Sequence, residues 1–161
     1  MTRARMAVSA LEAAHLTDIV LQFTDLLAEA IDGVDDPGVA RLVPDGYRDA
    51  AEDAAEFRRL TQDDLLDRRR DDAALVLATL QRDGQTRRPQ DLDRADAEAE
   101  VIVELDAGAV AAWLRTLTAV RLVIATRLGI TTEEEQDDDP RFGVYNWLGF
   151  RLEGLLQAIE D

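Results

Sequence analysis

Apolar residues recur at helical spacing over most of this chain, and five segments carry the pattern. The first covers residues 10–32, where Ser9 and Glu12 match a capping box and Gly33 follows the last turn. Its apolar stripe comprises Leu16, Ile19, Val20, Phe23, Leu27, Ala30 and Ile31. The spacing predicts a long amphipathic helix with one buried face.

The next two helical segments are predicted to meet at Leu60 and Thr61. The second helix covers residues 50–60, and the third runs on to residue 82, because Thr61 and Asp64 are placed as a capping pair. The chain over residues 84–100 is polar and charged without an apolar stripe, which is typical of a mobile linker. We therefore expect two separate helices followed by a segment without regular structure.

The stretch VIVEL at residues 101–105 has strand propensity but no evident pairing partner. We interpret it as an extended segment that leads into Asp106, a good N-cap for a fourth helix over residues 107–128. Apolar or small residues lie on opposite sides of that helix: Val110, Trp113, Leu117 and Val120 on one, Ala112, Ala119 and Val123 on the other. Such a helix is buried on two sides. We expect it at the centre of the fold, or shared with a second subunit in a homodimer.

A fifth helix is predicted over residues 144–159, after an acidic loop at 131–140. Five helices without a convincing sheet predict an all-α fold, a bundle in a single domain over residues 1–161.

Arginines occupy inward-pointing positions on several of these helices. Arg121 falls inside the apolar face of the fourth helix, and a guanidinium buried there needs a carboxylate to accept its hydrogen bonds. The inner face of the second helix offers two. The pattern predicts a structural charge cluster made of Asp53, Glu56, Arg69, Arg121, Arg127 and Arg151. A site in which these arginines hold a ligand carboxylate or phosphate is the alternative.

The residue inventory argues against most catalytic chemistry. The chain has no cysteine and no lysine, His15 is its one histidine and Ser9 its one serine. Cysteine nucleophiles, Schiff-base lysines and a Ser-His-Asp triad are therefore not expected. The acidic loop lacks the spacing of a calcium site. We predict no catalytic residue, no metal and no cofactor.

The net charge of −16 repels phosphate backbones and anionic membranes. The predicted joint at Leu60 and Thr61, next to Arg68, Arg69 and Arg70, suggests a helix-turn-helix. However, three successive arginines spread over about 200° of a helix and cannot meet one groove. Aspartates lie among them, so ion pairs are favoured over DNA contacts. The charge instead suits a basic protein partner.

Two aromatic residues near the C-terminus, Tyr145 and Phe150, are candidate partner contacts, whereas Trp113 and Trp147 lie on apolar faces and are expected in the core. The N-terminus carries no long apolar segment of the kind found in signal peptides, and the longest apolar runs fall short of a membrane span. These features predict a cytoplasmic location.

Three segments, AAEFRRLTQDDL, AAWLRTLTAVRLVIATRLGI and VYNWLGFRLEGLL, resemble in this order an actinobacterial family of domains of unknown function, number twenty-seventeen in that series. The resemblance covers about residues 47–160. It implies a compact helical protein linked to oxidative-stress regulation in actinomycetes. It also implies a transcription partner such as an alternative sigma factor, with genes near that of a Clp-protease adaptor. A redox switch built on paired cysteines is excluded in this chain.

The first hypothesis is therefore a non-enzymatic interaction protein that docks a sigma factor or a Clp-related component. Two alternatives stay open: a helical domain that binds a small anionic metabolite, and, less favoured, a direct DNA-binding regulator.

Overall fold

The computed structural model describes residues 2–33, 35–43, 52–130 and 140–160, and of residues 52–60 and 160 it describes the backbone alone. This part of the chain is mostly helical and also contains a small sheet. In chain order the elements are β1 (Arg3–Ser9), α1 (Ala10–Ile31), α2 (Pro37–Ala40), α3 (Glu52–Leu80), α4 (Arg94–Ala97), β2 (Glu100–Leu105), α5 (Ala107–Leu128), α6 (Gly143–Ala158) and β3 (Ile159–Glu160). Short 3-10 turns lie at Pro89–Asp91 and Pro140–Phe142.

The sheet corrects the all-α prediction. Strand β1 lies between β2 and β3 and pairs antiparallel with both. VIVEL does have a pairing partner, the N-terminal segment RARMAVS, with Met6 opposite Val103. Side chains alternate along β1, so that Ala4, Met6 and Val8 are buried against the helices while Arg3 and Arg5 point outward.

Helices α1, α5 and α6 begin and end within two residues of their predicted bounds. The Ser9 side chain accepts a hydrogen bond from the backbone N–H of Glu12 at 3.1 Å, which confirms half of the capping box. The predicted break at Thr61 is wrong, because α3 is one continuous helix of 29 residues. A threonine inside a helix costs well under about 1 kcal/mol in propensity, too little to end it.

The segment predicted as a linker also contains regular structure. Residues 84–100 include the 3-10 turn, helix α4 and the first residue of β2. Arg88 forms an ion pair with Asp18 of α1, which ties this segment to the helix. The 3-10 turn and α4 could not be predicted from an apolar pattern, because neither contains a buried residue.

Helix α5 lies at the centre and contacts α1, α2, α3, α6, β1 and β2. Both predicted sides are buried: Val110, Trp113, Leu117 and Val120, and also Ala112, Ala119 and Val123. The small-residue side is therefore covered within one chain. Asp106 caps the first turn through Ala109 N–H at 2.8 Å, and Gly129 ends the helix with φ 71°. By length and composition α5 is long and apolar enough to cross a membrane, a property that core helices share, and half of its apolar stretch is buried inside this fold.

Replacing two of the glycines by alanine should change the stability of the protein in opposite directions. A Cβ on Gly38 of α2 would lie 2.8 Å from Val123 Cγ1 and 3.3 Å from Val123 O, whereas a Cβ on Gly154 of α6 meets no atom within 4 Å. Val123 is β-branched and buried, so it cannot swing aside. We expect Gly38→Ala to lower the free energy of unfolding by about 1–3 kcal/mol and Gly154→Ala to raise it by up to about 1 kcal/mol. Urea unfolding followed by circular dichroism measures both, and a neutral Gly38→Ala would contradict the close α2–α5 packing.

Candidate interaction site

The predicted charge cluster includes four arginines whose side chains the structure describes. Its arginines have separate partners: Arg151 binds Glu12, Arg127 binds Asp36, and Arg69 Nη1 donates to the backbone oxygen of Arg115 at 3.4 Å. The side chains of Asp53 and Glu56 lie outside the described residues. Among the residues that are described, the arginines share no carboxylate.

Arg121 points inward, and its guanidinium contacts a backbone oxygen and an aromatic ring. Its Nε donates to Tyr145 O at 3.0 Å, and its Cζ lies 3.9 Å from the centroid of the Tyr145 ring. The guanidinium also lies flat against Gly149, where a Cβ would be 2.7 Å from Nη2. Within the described chain no carboxylate lies within ion-pair distance of Arg121, and its described partners are a carbonyl oxygen and an aromatic ring.

Glu12 is the centre of the most buried charge network that the structure describes. Its Oε1 accepts hydrogen bonds from Arg151 Nε at 2.5 Å and from Trp147 Nε1 at 2.8 Å. The side chains of Arg151 and Glu12 are 17% and 19% exposed. The first turn of α1 is thereby fastened to the middle of α6. The carboxylate of Glu12 therefore forms tertiary hydrogen bonds to α6 and does not cap the end of its own helix.

Beside this network, residues of α1 and α6 line a groove of about 400 Å³. We call it the α1–α6 groove; it is lined by Ser9, Leu11, Glu12, His15, Ile19, Gly143, Val144 and Trp147. Leu11, His15 and Ile19 follow one another at intervals of four residues, so they form one edge of α1. The hydrogen-bonded Glu12 and Trp147 hold the groove walls in place.

The groove residues on α1 were not predicted from the sequence. The helical stripe was defined by its most apolar positions, and Leu11 and His15 lie at its flank. Their exposure depends on where α6 stops covering α1, which is a tertiary property. The four-residue spacing of Leu11, His15 and Ile19 was the available indication.

The two predicted partner contacts differ in the structure. Phe150 is 67% exposed, one turn beyond Trp147 on α6. Tyr145 is 8% exposed beneath Arg121, so the expectation that its ring is accessible is wrong. Trp113 is fully buried as predicted, and its Nε1 donates to Thr79 Oγ1 at 2.8 Å.

The arginine-rich part of α3 does not form a helix-turn-helix, because no turn separates residues 60 and 61. Arg68 pairs with Asp64 at 3.1 Å, and Arg115 of α5 pairs with Asp72 at 2.8 Å. The Asp72 carboxylate raises the pKa of Arg115 by its hydrogen bond. These are the local and interhelical ion pairs that the interleaved aspartates predicted.

Within the described ranges, no group of three or more acidic or histidine side chains is arranged to hold a metal ion. The acidic loop at 131–139 lies outside those ranges. The arrangement around the α1–α6 groove therefore offers apolar contact area, one histidine and an anchored ion pair.

A family model with the description "Domain of unknown function (DUF2017)" matches residues 2–159. The match includes β1 and α1, which the sequence resemblance left out. Comparisons with the curated proteins and with the solved structures give no match.

Proposed function

Because this chain belongs to the DUF2017 family, whose description names no activity, we propose from its surface that it is a cytoplasmic interaction protein without catalysis of its own. The α1–α6 groove is the docking surface. The observation that carries the proposal is the exposure of large apolar side chains in and beside it: 38% for Leu11, 46% for Val144 and 67% for Phe150. A cluster of this kind on a strongly charged protein is typical of an interface.

The partner that fits this surface is an amphipathic helix with basic residues along its flanks. A groove between two helices receives a third helix through apolar anchors spaced by three or four residues, as in other helix-in-groove complexes. Leu11, Ile19 and Val144 supply the apolar walls, and Phe150 extends the contact by one turn. The net charge of −16 attracts a basic partner and accelerates its association.

The resemblance to the actinomycete family gives the first partners to test, namely a sigma factor and a Clp-related component. In this proposal the protein is a stress-linked transcription co-regulator, and the sensing of stress resides in the partner since this chain has no cysteine. The helices around α5 act as a bundle that holds α1 and α6 at a constant separation.

The test is affinity purification from the native host with quantitative mass spectrometry, using wild type and the double variant Val144→Asp/Phe150→Asp. Charges placed on both apolar anchors should reduce recovery of the specific partner by tenfold or more, on the order of hot-spot truncations. Leu156→Asp is the matched control. It is 53% exposed on the same helix, and at 100° per residue it lies about 180° around the axis from Trp147, which lines the groove.

The proposal fails if wild type and Leu156→Asp enrich no protein over a purification without bait, or if the double variant retains the partner that both recover. A wild-type dimer in analytical ultracentrifugation that the double variant abolishes would identify a second copy of this chain as the occupant. That outcome would contradict the basic partner, because two copies carry the same negative charge.

A further inference from the structure

A second cavity lies away from the groove, between α1, the end of α3 and the segment that leads to β2. Its volume is about 230 Å³. We call it the Arg82–Arg87 cavity, after the two guanidinium groups that line it. Ala13 and Ala14 of α1 form part of its wall, and their short side chains leave the space open. The wall is otherwise largely apolar, with Leu80, Leu92 and Val101.

Arg82, which lines this cavity, has an unsatisfied donor. Its Nη1 donates to Gln81 O at 2.8 Å and to Thr79 O at 3.4 Å, but its Nη2 is buried and has no hydrogen-bond partner among the described residues. Burial lowers the pKa of Arg82, although a guanidinium remains charged at neutral pH. A buried charged donor without an acceptor destabilises the protein, so an acceptor in the cavity toward which the guanidinium turns should be bound.

The turn that carries Arg82 is held by backbone contacts. Arg82 and Gln85 exchange two backbone hydrogen bonds at 3.0 and 2.9 Å, and both central residues have positive φ, 54° at Asp83 and 73° at Gly84. This is the geometry of a tight type I′ turn. Arg82 and Arg87 are therefore presented to the same cavity by a well-defined backbone.

Two carboxylates, Asp83 and Asp96, also line the cavity. Neither lies within ion-pair distance of Arg82 or Arg87, nor of any other cation that the structure describes. Asp83 still acts on Arg82 through its charge. Two nearby negative charges would oppose a ligand with a second negative charge, whereas one carboxylate can be bound by the planar guanidinium fork.

From this arrangement we infer that the Arg82–Arg87 cavity binds a small organic monocarboxylate, with the carboxylate on the two arginines and a short carbon chain against the apolar wall. The volume lies below the range of about 300–1,000 Å³ of sites for drug-sized ligands, so the ligand has only a few carbons. This site is independent of the proposed docking surface, and it differs from the anion site predicted around Arg121.

The probe is butyrate, titrated into the full-length ¹⁵N-labelled protein at constant ionic strength and followed by NMR. We expect saturable shifts confined to Thr17, Gly84 and their neighbours. Arg82→Gln and Arg87→Gln should each weaken the affinity about tenfold or more, as expected for the loss of a charged hydrogen bond. Arg94→Gln, an exposed arginine of α4 outside the cavity, should leave the affinity unchanged.

Butyramide, which has the same shape without the charge, should give no saturable shift, and succinate and inorganic phosphate should bind more weakly than butyrate. The inference is overturned if butyrate gives no saturable shift, if butyramide binds equally well, or if succinate or phosphate binds as tightly. It is also overturned if Arg87→Gln, which removes no hydrogen bond that the structure describes, binds butyrate like wild type.

Discussion

Replacing Glu12 by glutamine is expected to lower the free energy of unfolding by about 2–3 kcal/mol. The substitution keeps the size of the side chain and one acceptor oxygen, but it removes the negative charge that faces Arg151 at 2.5 Å. Arg151 is 17% exposed, so its guanidinium would stay in a place where water cannot replace the lost carboxylate. Breaking a fully buried pair costs about 3–5 kcal/mol, and the residual exposure of both side chains reduces that figure. The favourable position of an anion in the first turn of α1 is lost as well.

Urea unfolding of the single and double variants measures the coupling free energy between Glu12 and Arg151 separately from the effect of each substitution. Arg151→Leu alone should also destabilise the protein, and Glu12→Gln combined with Arg151→Leu should cost at least about 1 kcal/mol less than the sum of the two. Glu29→Gln, on an exposed position of the same helix, is the control and should stay within about 0.5 kcal/mol of wild type. Additive effects of Glu12 and Arg151 would show that they do not form a coupled pair.

The helices could be predicted from the sequence because the forces that define them are local. The stop at Gly129 needs a residue that adopts positive φ, and the caps at Ser9 and Asp106 need a side-chain oxygen next to the first N–H groups. These requirements appear within four residues in the chain. At Thr61 the local pattern gave a wrong prediction. A capping pattern occurs there inside α3, and packing against α1 and α5 keeps that helix continuous.

The sheet could not be predicted in the same way. Strands β1 and β2 are separated by the four helices α1 to α4, so neither sequence indicates its partner. The period-two alternation of Ala4, Met6 and Val8 is present, but a short alternating segment without a known mate has no specified register. Pairing with β2 supplies both the register and the burial of these side chains.

The sequence predicts which arginines need a carboxylate, but it does not predict which carboxylate each of them pairs with. Arg151 and Arg127 were identified as inward arginines that need a carboxylate, and each has one. The acidic partners came from Glu12 and Asp36, not from the neighbouring helix, because the relative placement of helices decides which carboxylate lies in reach. Phe150 was identified as a candidate contact from composition alone, and its exposure agrees with that role.

Replacing Asp36 by alanine should lower the free energy of unfolding by about 2–3 kcal/mol at neutral pH. One Asp36 oxygen accepts from the N–H groups of Gly38 and Val39 at 2.8 and 3.1 Å, which caps α2, and the other accepts from Arg127 Nη2 at 2.8 Å. The cap contributes about 1 kcal/mol. The charged hydrogen bond contributes about 1–2 kcal/mol, since the Arg127 side chain is 52% exposed and solvent screens it. Asp36→Asn keeps a capping oxygen and should therefore cost only the part that belongs to Arg127.

The Arg127 part of this effect depends on pH in a definite direction. The hydrogen bond from Arg127 holds the pKa of Asp36 below its ordinary value of 3.8, ahead of the opposing effect of burial. The unfolded state therefore binds the proton first, so the stabilisation is complete above pH 3.8 and is lost as the pH falls through the lowered pKa. Urea unfolding between pH 7 and pH 3 should show a constant gap between wild type and Asp36→Asn above pH 5 that narrows on acidification. Asp35→Asn, at the exposed neighbouring position, should show neither the gap nor its narrowing. A gap that widens toward low pH would mean that the Asp36 carboxylate is not stabilised by Arg127 in the folded protein, and the link between α2 and the end of α5 would then depend on packing at Gly38 alone.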